Sequence, residues 1–315
     1  MVEYGTIFSA VLPVFLIIAI GWLMRACGWF SAQGEKDLMK LLIYVLYPCL
    51  IFKFILGNEL LKDGKVVAEA IGLGYGIIVL GILFVAWIAP LMGIRERRER
   101  GTFAFGCSVY NFGYIAIPLA SVLFDNDVVG VLLVVNVGIE LAIWTVGIGA
   151  LSGKFSRDSL KKALSPPVLA VLIGLPTNWL GGTELIPGAI ITLIEMLAAC
   201  SIPVGVFIIG VAFCELAQES GARWRPNAIA GGIFLRLILL PAIMIGMAVL
   251  VPFSSAIKDV LILHAAMPTG VFAVVLVKHY GGAGNLAFQV AAATNLISLF
   301  TIPLWVQLGL SIVAP

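Results

Sequence analysis

Cys107-Ser-Val-Tyr-Asn-Phe-Gly-Tyr-Ile-Ala-Ile-Pro118 and Leu263-His-Ala-Ala-Met-Pro-Thr-Gly270 are the two places where long apolar runs of this chain lose helical regularity. A proline removes a backbone donor and clashes with the preceding turn, which frees carbonyls. Glycine and asparagine beside it tolerate unwound backbone. Pro268 follows Pro118 by 150 residues, so the two breaks read as a matched pair. In a membrane, irregular backbone survives only where it is buried in protein or lines a cavity.

The rest of the chain makes a membrane the only reasonable solvent. Of its 315 residues 61% are hydrophobic and 11% charged, against about a quarter charged in soluble domains. Apolar runs of about 20 residues recur, each long enough to cross a bilayer core of about 30 Å. They lack the alternation of barrel strands, so they are helices. Glu3 and no basic residue precede the first run, and a cleavable leader is not expected. The five cysteines show no metal-ligand spacing, and no cofactor is expected.

Polar and Gly/Pro-rich interruptions predict ten spans, near 6–26, 38–57, 67–92, 101–123, 128–152, 164–181, 189–215, 227–250, 256–279 and 285–310. The odd-numbered connections hold Arg25, Lys36 and Lys40; Arg95, Arg97, Arg98 and Arg100; Lys154, Arg157, Lys161 and Lys162; Arg223 and Arg225; and Lys278. The even ones hold only Lys62, Lys65 and Lys258. Basic residues mark cytoplasmic loops, so both termini are expected outside the cytoplasm.

Four prolines stand in the first 165 residues: Pro13, Pro48, Pro90 and Pro118. Each has a counterpart 150 to 155 residues later, at Pro167, Pro203, Pro241 and Pro268. A repeat of that length holds five spans and would enter the membrane inverted. The expected fold is therefore all-α, with about ten transmembrane helices in two inverted five-helix repeats, 1–153 and 154–315, and spans four and nine broken.

Paired broken helices at mid-membrane aim positive N-termini at an anion and offer freed carbonyls to a cation. This makes Tyr110, Asn111, Gly113, Pro118, His264, Met267, Pro268 and Thr269 the candidate substrate-binding residues. Charges inside a membrane are costly and tend to be functional. Glu140 and Arg236 lie at similar expected depths, which predicts a buried ion pair, structural or linked to protons or substrate. Asn136, one turn before Glu140, extends that polar stripe toward the breaks. His264 is a candidate ligand or proton group, or a satisfied core residue.

Tyr-Asn-Phe-Gly-Tyr-Ile-Ala-Ile-Pro-Leu (110–119), Ala-Met-Pro-Thr-Gly-Val-Phe-Ala-Val-Val-Leu-Val-Lys-His-Tyr-Gly (266–281) and Tyr-Pro-Cys-Leu-Ile-Phe (47–52) resemble the auxin efflux carrier family, specifically its bacterial members. The resemblance implies the fold of bile-acid sodium symporters and plant auxin carriers, with broken helices four and nine crossing. It implies a scaffold from 1–57 and 164–215 and a mobile transport domain from 67–152 and 227–310. Asn111, Pro118 and Pro268 would sit at the crossing. The Asn-Pro that precedes the cysteine in plant carriers is Tyr47-Pro48 here, and their second crossover asparagine is not obvious.

The expected function is secondary transport of small organic anions, carboxylates first, by elevator-type alternating access in the bacterial inner membrane. Spans four and nine are read as lacking acidic residues, which favours proton coupling or uniport over sodium. A ligand-sensing receptor on a transporter fold and a channel are the alternatives. No nucleotide-binding loop and no catalytic constellation is present, so an enzyme is not expected. Expected partners are the anion, membrane lipid and a second copy of the chain packed through the scaffold helices, with no nucleic acid.

Overall fold

A computed structural model describes residues 3–153, 162–219 and 224–313, and over these the chain is a stack of helices. They are α1 (Tyr4–Ala26), α2 (Ala32–Ile55), α3 (Gly64–Met92), α4 (Arg97–Ser108), α5 (Ala116–Leu123) and α6 (Asn126–Ser152). After them come α7 (Pro166–Leu180), α8 (Gly188–Glu219), α9 (Pro226–Leu250), α10 (Ser255–Ala266), α11 (Val271–His279) and α12 (Gly284–Val313). Among the described residues seven helices (α1, α2, α3, α6, α8, α9 and α12) are long and apolar enough to cross a membrane, and α7 is a shorter apolar helix. The chain is a multi-pass, helical membrane protein. Two of the ten expected spans are each divided in the structure, into α4 with α5 and α10 with α11.

Some ends lie outside the apolar runs. The second helix begins at Ala32 rather than near 38 because Ser31 caps it, its hydroxyl accepting from the Gly34 amide at 3.0 Å. The fourth begins at Arg97, so its first turn is charged. Of the basic residues used to orient the chain, Lys154, Arg157, Lys161 and Arg223 lie outside the described residues.

Three helices contain a π-helical turn, at Leu42–Leu46, Ile143–Gly147 and Leu235–Leu239. The first and third lie just before Pro48 and Pro241, which cannot donate to the turn above. The carbonyl of Leu237, four residues before Pro241, accepts instead from the Trp305 indole at 2.7 Å. Arg236 sits inside that π turn and points inward, 1% exposed.

In the packing, α1 lies along α8 and also contacts α12, α2 packs on α8 and α7, α3 lies along α6, and α10 packs on α6, α9 and α12. Each closest pair meets through glycine. A methyl at Gly210 would overlap the Ile18 carbonyl, and one at Gly138 the Ile71 carbonyl. Helices separated by lipid gain nothing from hydrophobic burial, so close backbone approach at small residues supplies the attraction.

Polar contacts gather the connections at two ends. At one end Arg98 donates to the carbonyls of Gly281 and Gly282 at 2.7 and 2.9 Å, and Lys162 bonds the Tyr280 hydroxyl at 2.9 Å. Arg225 pairs there with Glu99, Lys278 with Glu219, and Arg25 with Glu215. At the other end the Asn178 side chain accepts from the Gly57 amide and donates to the Asn58 carbonyl, both at 2.8 Å, and the Trp179 indole donates to Leu61. Asn58 in turn donates to the Asp127 carbonyl at 3.0 Å. Basic residues of the first, third, fifth, seventh and ninth connections thus make the contacts of the first end.

Candidate functional site

The unwound residues after α4 and α10 meet as a short piece of antiparallel sheet. Tyr110 pairs with Thr269, the Asn111 amide donates to the Pro268 carbonyl at 2.8 Å, and the Gly270 amide donates to the Val109 carbonyl at 3.0 Å. A side chain at position 270 would stand 2.9 Å from the Tyr110 carbonyl, so this approach requires glycine. Each break satisfies part of the other's freed backbone, as buried polar groups must.

Each extended segment is also tied to the long helix that follows it. Asn136 of α6 donates to the Phe112 carbonyl at 3.0 Å, and Asn295 of α12 donates to the Thr269 carbonyl at 2.8 Å. Asn111 turns its side-chain oxygen back to the Ile115 amide at 3.3 Å, where the chain re-enters helix. Asn136 therefore reaches the breaks as its position suggested. Asn295 is the asparagine that sequence reading did not find. It follows Asn136 by 159 residues, beyond the 150-to-155-residue offset of the prolines, so the repeat does not lead to it directly.

Pro118 departs from expectation. It lies inside α5, past the extended segment, whereas Pro268 lies within the pairing itself. Matching prolines along the sequence equated residues that the backbone separates. The break before α5 is made by Val109 to Gly113, with Asn111 and Gly113 supplying the permissive backbone.

The expected Glu140–Arg236 pair does not form. Arg236 donates through Nε to the Met267 carbonyl at 2.7 Å and through Nη2 to those of His264 and Ala265 at 2.8 and 3.1 Å. Its guanidinium lies 4.6 Å from the centre of the Tyr110 ring. The positive charge thus sits on the negative C-terminal end of α10 and binds the carbonyls that Pro268 and the break leave free. His264 stands beside it, fully buried, its Nδ1 3.1 Å from the Tyr110 hydroxyl. Similar depth along two helices gave no information on which way each side chain faces.

Glu140 turns instead toward the start of α7. Its carboxylate accepts from the Ser165 hydroxyl at 2.6 Å, and Ser165 caps α7, accepting from the Val168 amide. Glu140 is therefore beside the positive N-terminal end of α7. Tyr47, Phe112, Asn136, Glu140 and Pro167 line a cavity of about 10 Å³ between α2, α6 and α7, room for roughly one water. A methyl at Gly113 would stand 3.1 Å from the Tyr47 hydroxyl. Tyr47 is read in sequence only as part of a resemblance, because an aromatic residue in an apolar run carries no mark of facing a cavity.

Asp259 corrects the reading of span nine as free of acidic residues: it lies in the second turn of α10 and is partly buried. Around the crossing several buried polar atoms have no partner. They are Asn111 Nδ2, Asn136 Oδ1, Thr269 Oγ1, Asn295 Oδ1 and His264 Nε2. Such atoms are uncommon in folded proteins and often mark a place where something binds.

The family follows from comparison with other chains. A family model described as "Membrane transport protein" matches residues 6–157 and 151–306. This chain belongs to the membrane transport protein family. The resemblance to auxin efflux carriers holds at that level. Among its relatives is an uncharacterized transporter of Methanocaldococcus jannaschii, 24% identical over 306 residues, covering 94% of this chain and 97% of the relative. Another, of Methanothermobacter thermautotrophicus, is also described as an uncharacterized transporter and is 22% identical over 303 residues, covering 94% and 96%. The chain is thus a membrane transport protein over nearly its whole length.

Proposed function

We propose that this protein is a secondary carrier of small organic anions, built as two inverted five-helix repeats that cross the membrane ten times. In this reading α1, α2, α7 and α8 are a fixed scaffold, and α3–α6 with α9–α12 slide past it carrying the crossing. The basic end faces the cytoplasm, so both termini lie outside it.

The observation that carries the reading is the antiparallel meeting of Tyr110 with Thr269, where the two broken helices cross. A pair of mutually supporting breaks provides fixed amides and asparagine groups at mid-membrane, and unspent donors such as Asn111 Nδ2 suit a carboxylate. Glu140 shares the small cavity with Asn136. That cavity holds no more than a water, so Glu140 acts on the anion through its charge: an anion approaching the crossing is repelled while Glu140 is ionised and accepted once it is protonated, which makes the cargo an anion with a proton.

Proteoliposome uptake tests both parts. Counterflow of a mono- or dicarboxylate is expected to saturate, and Glu140→Gln, with its neutral amide in place of the carboxyl, is expected to exchange anion with little pH dependence. Failure of every carboxylate to show saturable counterflow would sink the carrier reading. Unchanged pH dependence in Glu140→Gln would sink the proton coupling.

A further inference from the structure

A second cavity, of about 280 Å³, lies on another side of the crossing, between α3 and α9. Its walls are apolar, with Met244 and Met247 among them, and Leu80 and Ile243 at its edge are 61% and 40% exposed. In a membrane that mouth opens to lipid. The polar groups in its lining are Ser108, where α4 ends, and Arg236.

Both are incompletely satisfied. Ser108 is 2% exposed and its hydroxyl has no hydrogen-bond partner. Arg236 is 1% exposed and, among the described residues, has no carboxylate partner. Its hydrogen bonds to carbonyls run through Nε and Nη2, and none runs through Nη1. A full positive charge in an apolar cavity calls for an anion, and a planar guanidinium edge suits a carboxylate.

We propose that this cavity binds a single-chain amphipathic carboxylate drawn from the bilayer, its head on Arg236 Nη1 and the Ser108 hydroxyl and its chain between α3 and α9. The depth argues for a free fatty acid over a phospholipid. Arg236 lies about 15 Å from one end of α9 and 21 Å from the other at roughly 1.5 Å per residue. An interfacial headgroup does not reach the midplane, whereas a neutral acid can partition there and bind as the carboxylate. The cavity, of about 280 Å³, takes an alkyl chain whose end points to the lipid-facing mouth, and its two polar groups seat one small headgroup. Because Arg236 also holds the end of α10, an occupant here bears directly on the crossing. The site does not depend on the carrier reading, since binding is measured without transport.

The test is binding of radiolabelled dodecanoate to the purified protein in nanodiscs. Saturable binding is expected, with dodecanol and phosphatidylglycerol failing to displace it. Ser108→Ala removes an unpartnered hydroxyl and should leave the fold intact while weakening dodecanoate at least fivefold. Met244→Trp fills the cavity and should abolish binding, with a monodisperse elution profile as the check on folding. The proposal is overturned if dodecanoate does not saturate, if Ser108→Ala binds like wild type, or if dodecanol competes equally. Displacement by phosphatidylglycerol at matching concentration would overturn the single-chain ligand.

Discussion

At the residue scale the main correction is the separation of Glu140 from Arg236. Each is a charge inside the membrane, and each has found a helix end of opposite sign: Arg236 the C-terminus of α10, Glu140 the N-terminus of α7. Two charges held by different helix ends need not meet. A double-mutant cycle on Glu140→Gln and Arg236→Lys is therefore expected to show coupling within about 0.5 kcal/mol. A direct pair would give several times that in unfolding measurements. Truncating Arg236 to Leu leaves the buried Met267 and Ala265 carbonyls without a donor, while the His264 carbonyl keeps the Met267 amide, and should lower stability by about 2 kcal/mol or more. Asn295→Leu strands the Thr269 carbonyl and should lower it by about 1–3 kcal/mol. Thermal unfolding in detergent measures both, and an unchanged transition in Asn295→Leu would contradict the role given to it.

At the scale of elements, the long helices are written in the apolar runs, and their lengths follow from bilayer thickness. Their mutual packing is set by single glycines. Gly210→Leu and Gly138→Leu each push a side chain into a facing carbonyl at the tightest helix contacts. Overpacking of this kind is expected to cost about 3 kcal/mol or more, because backbone cannot move aside as a side chain does. The readout is loss of monodisperse protein on size exclusion. Gly76→Leu is the control, since nothing lies within 4 Å of a methyl there, and it should elute as wild type. The broken helices were also visible in sequence, but only as places of irregularity. Their partnership could not be read, because a backbone pairing between Tyr110 and Thr269 depends on atoms that every residue has.

At the scale of the whole molecule, the proposed sliding makes a mechanical demand on contacts between the proposed scaffold and transport helices. Lys278 of α11 pairs with Glu219 of α8, and Glu140 of α6 bonds Ser165 beside α7. The first pair is partly exposed and contributes little static stability, but it ties one group to the other. Cysteines at 219 and 278, in a background without the five native cysteines, are expected to cross-link with mercury and to stop counterflow. Reductant should restore it. Full transport in the cross-linked protein would mean that these helices do not move relative to one another.

Residue types alone give a helical membrane protein, the positions of its apolar runs, the two that are broken, and the family it resembles. Those properties follow from composition and from the chemistry of individual residue types, since proline, glycine and charge act locally wherever they stand. Tertiary structure alone decided that the two breaks bond each other, that Asn136 and Asn295 hold them, and that Arg236 faces α10 while Glu140 faces α7. The physical reason is direction. Helical periodicity gives depth and an approximate face, but the neighbour on that face is set by packing across more than a hundred residues. Pro118 illustrates the limit: its sequence match to Pro268 is real, yet the chain unwinds several residues before it.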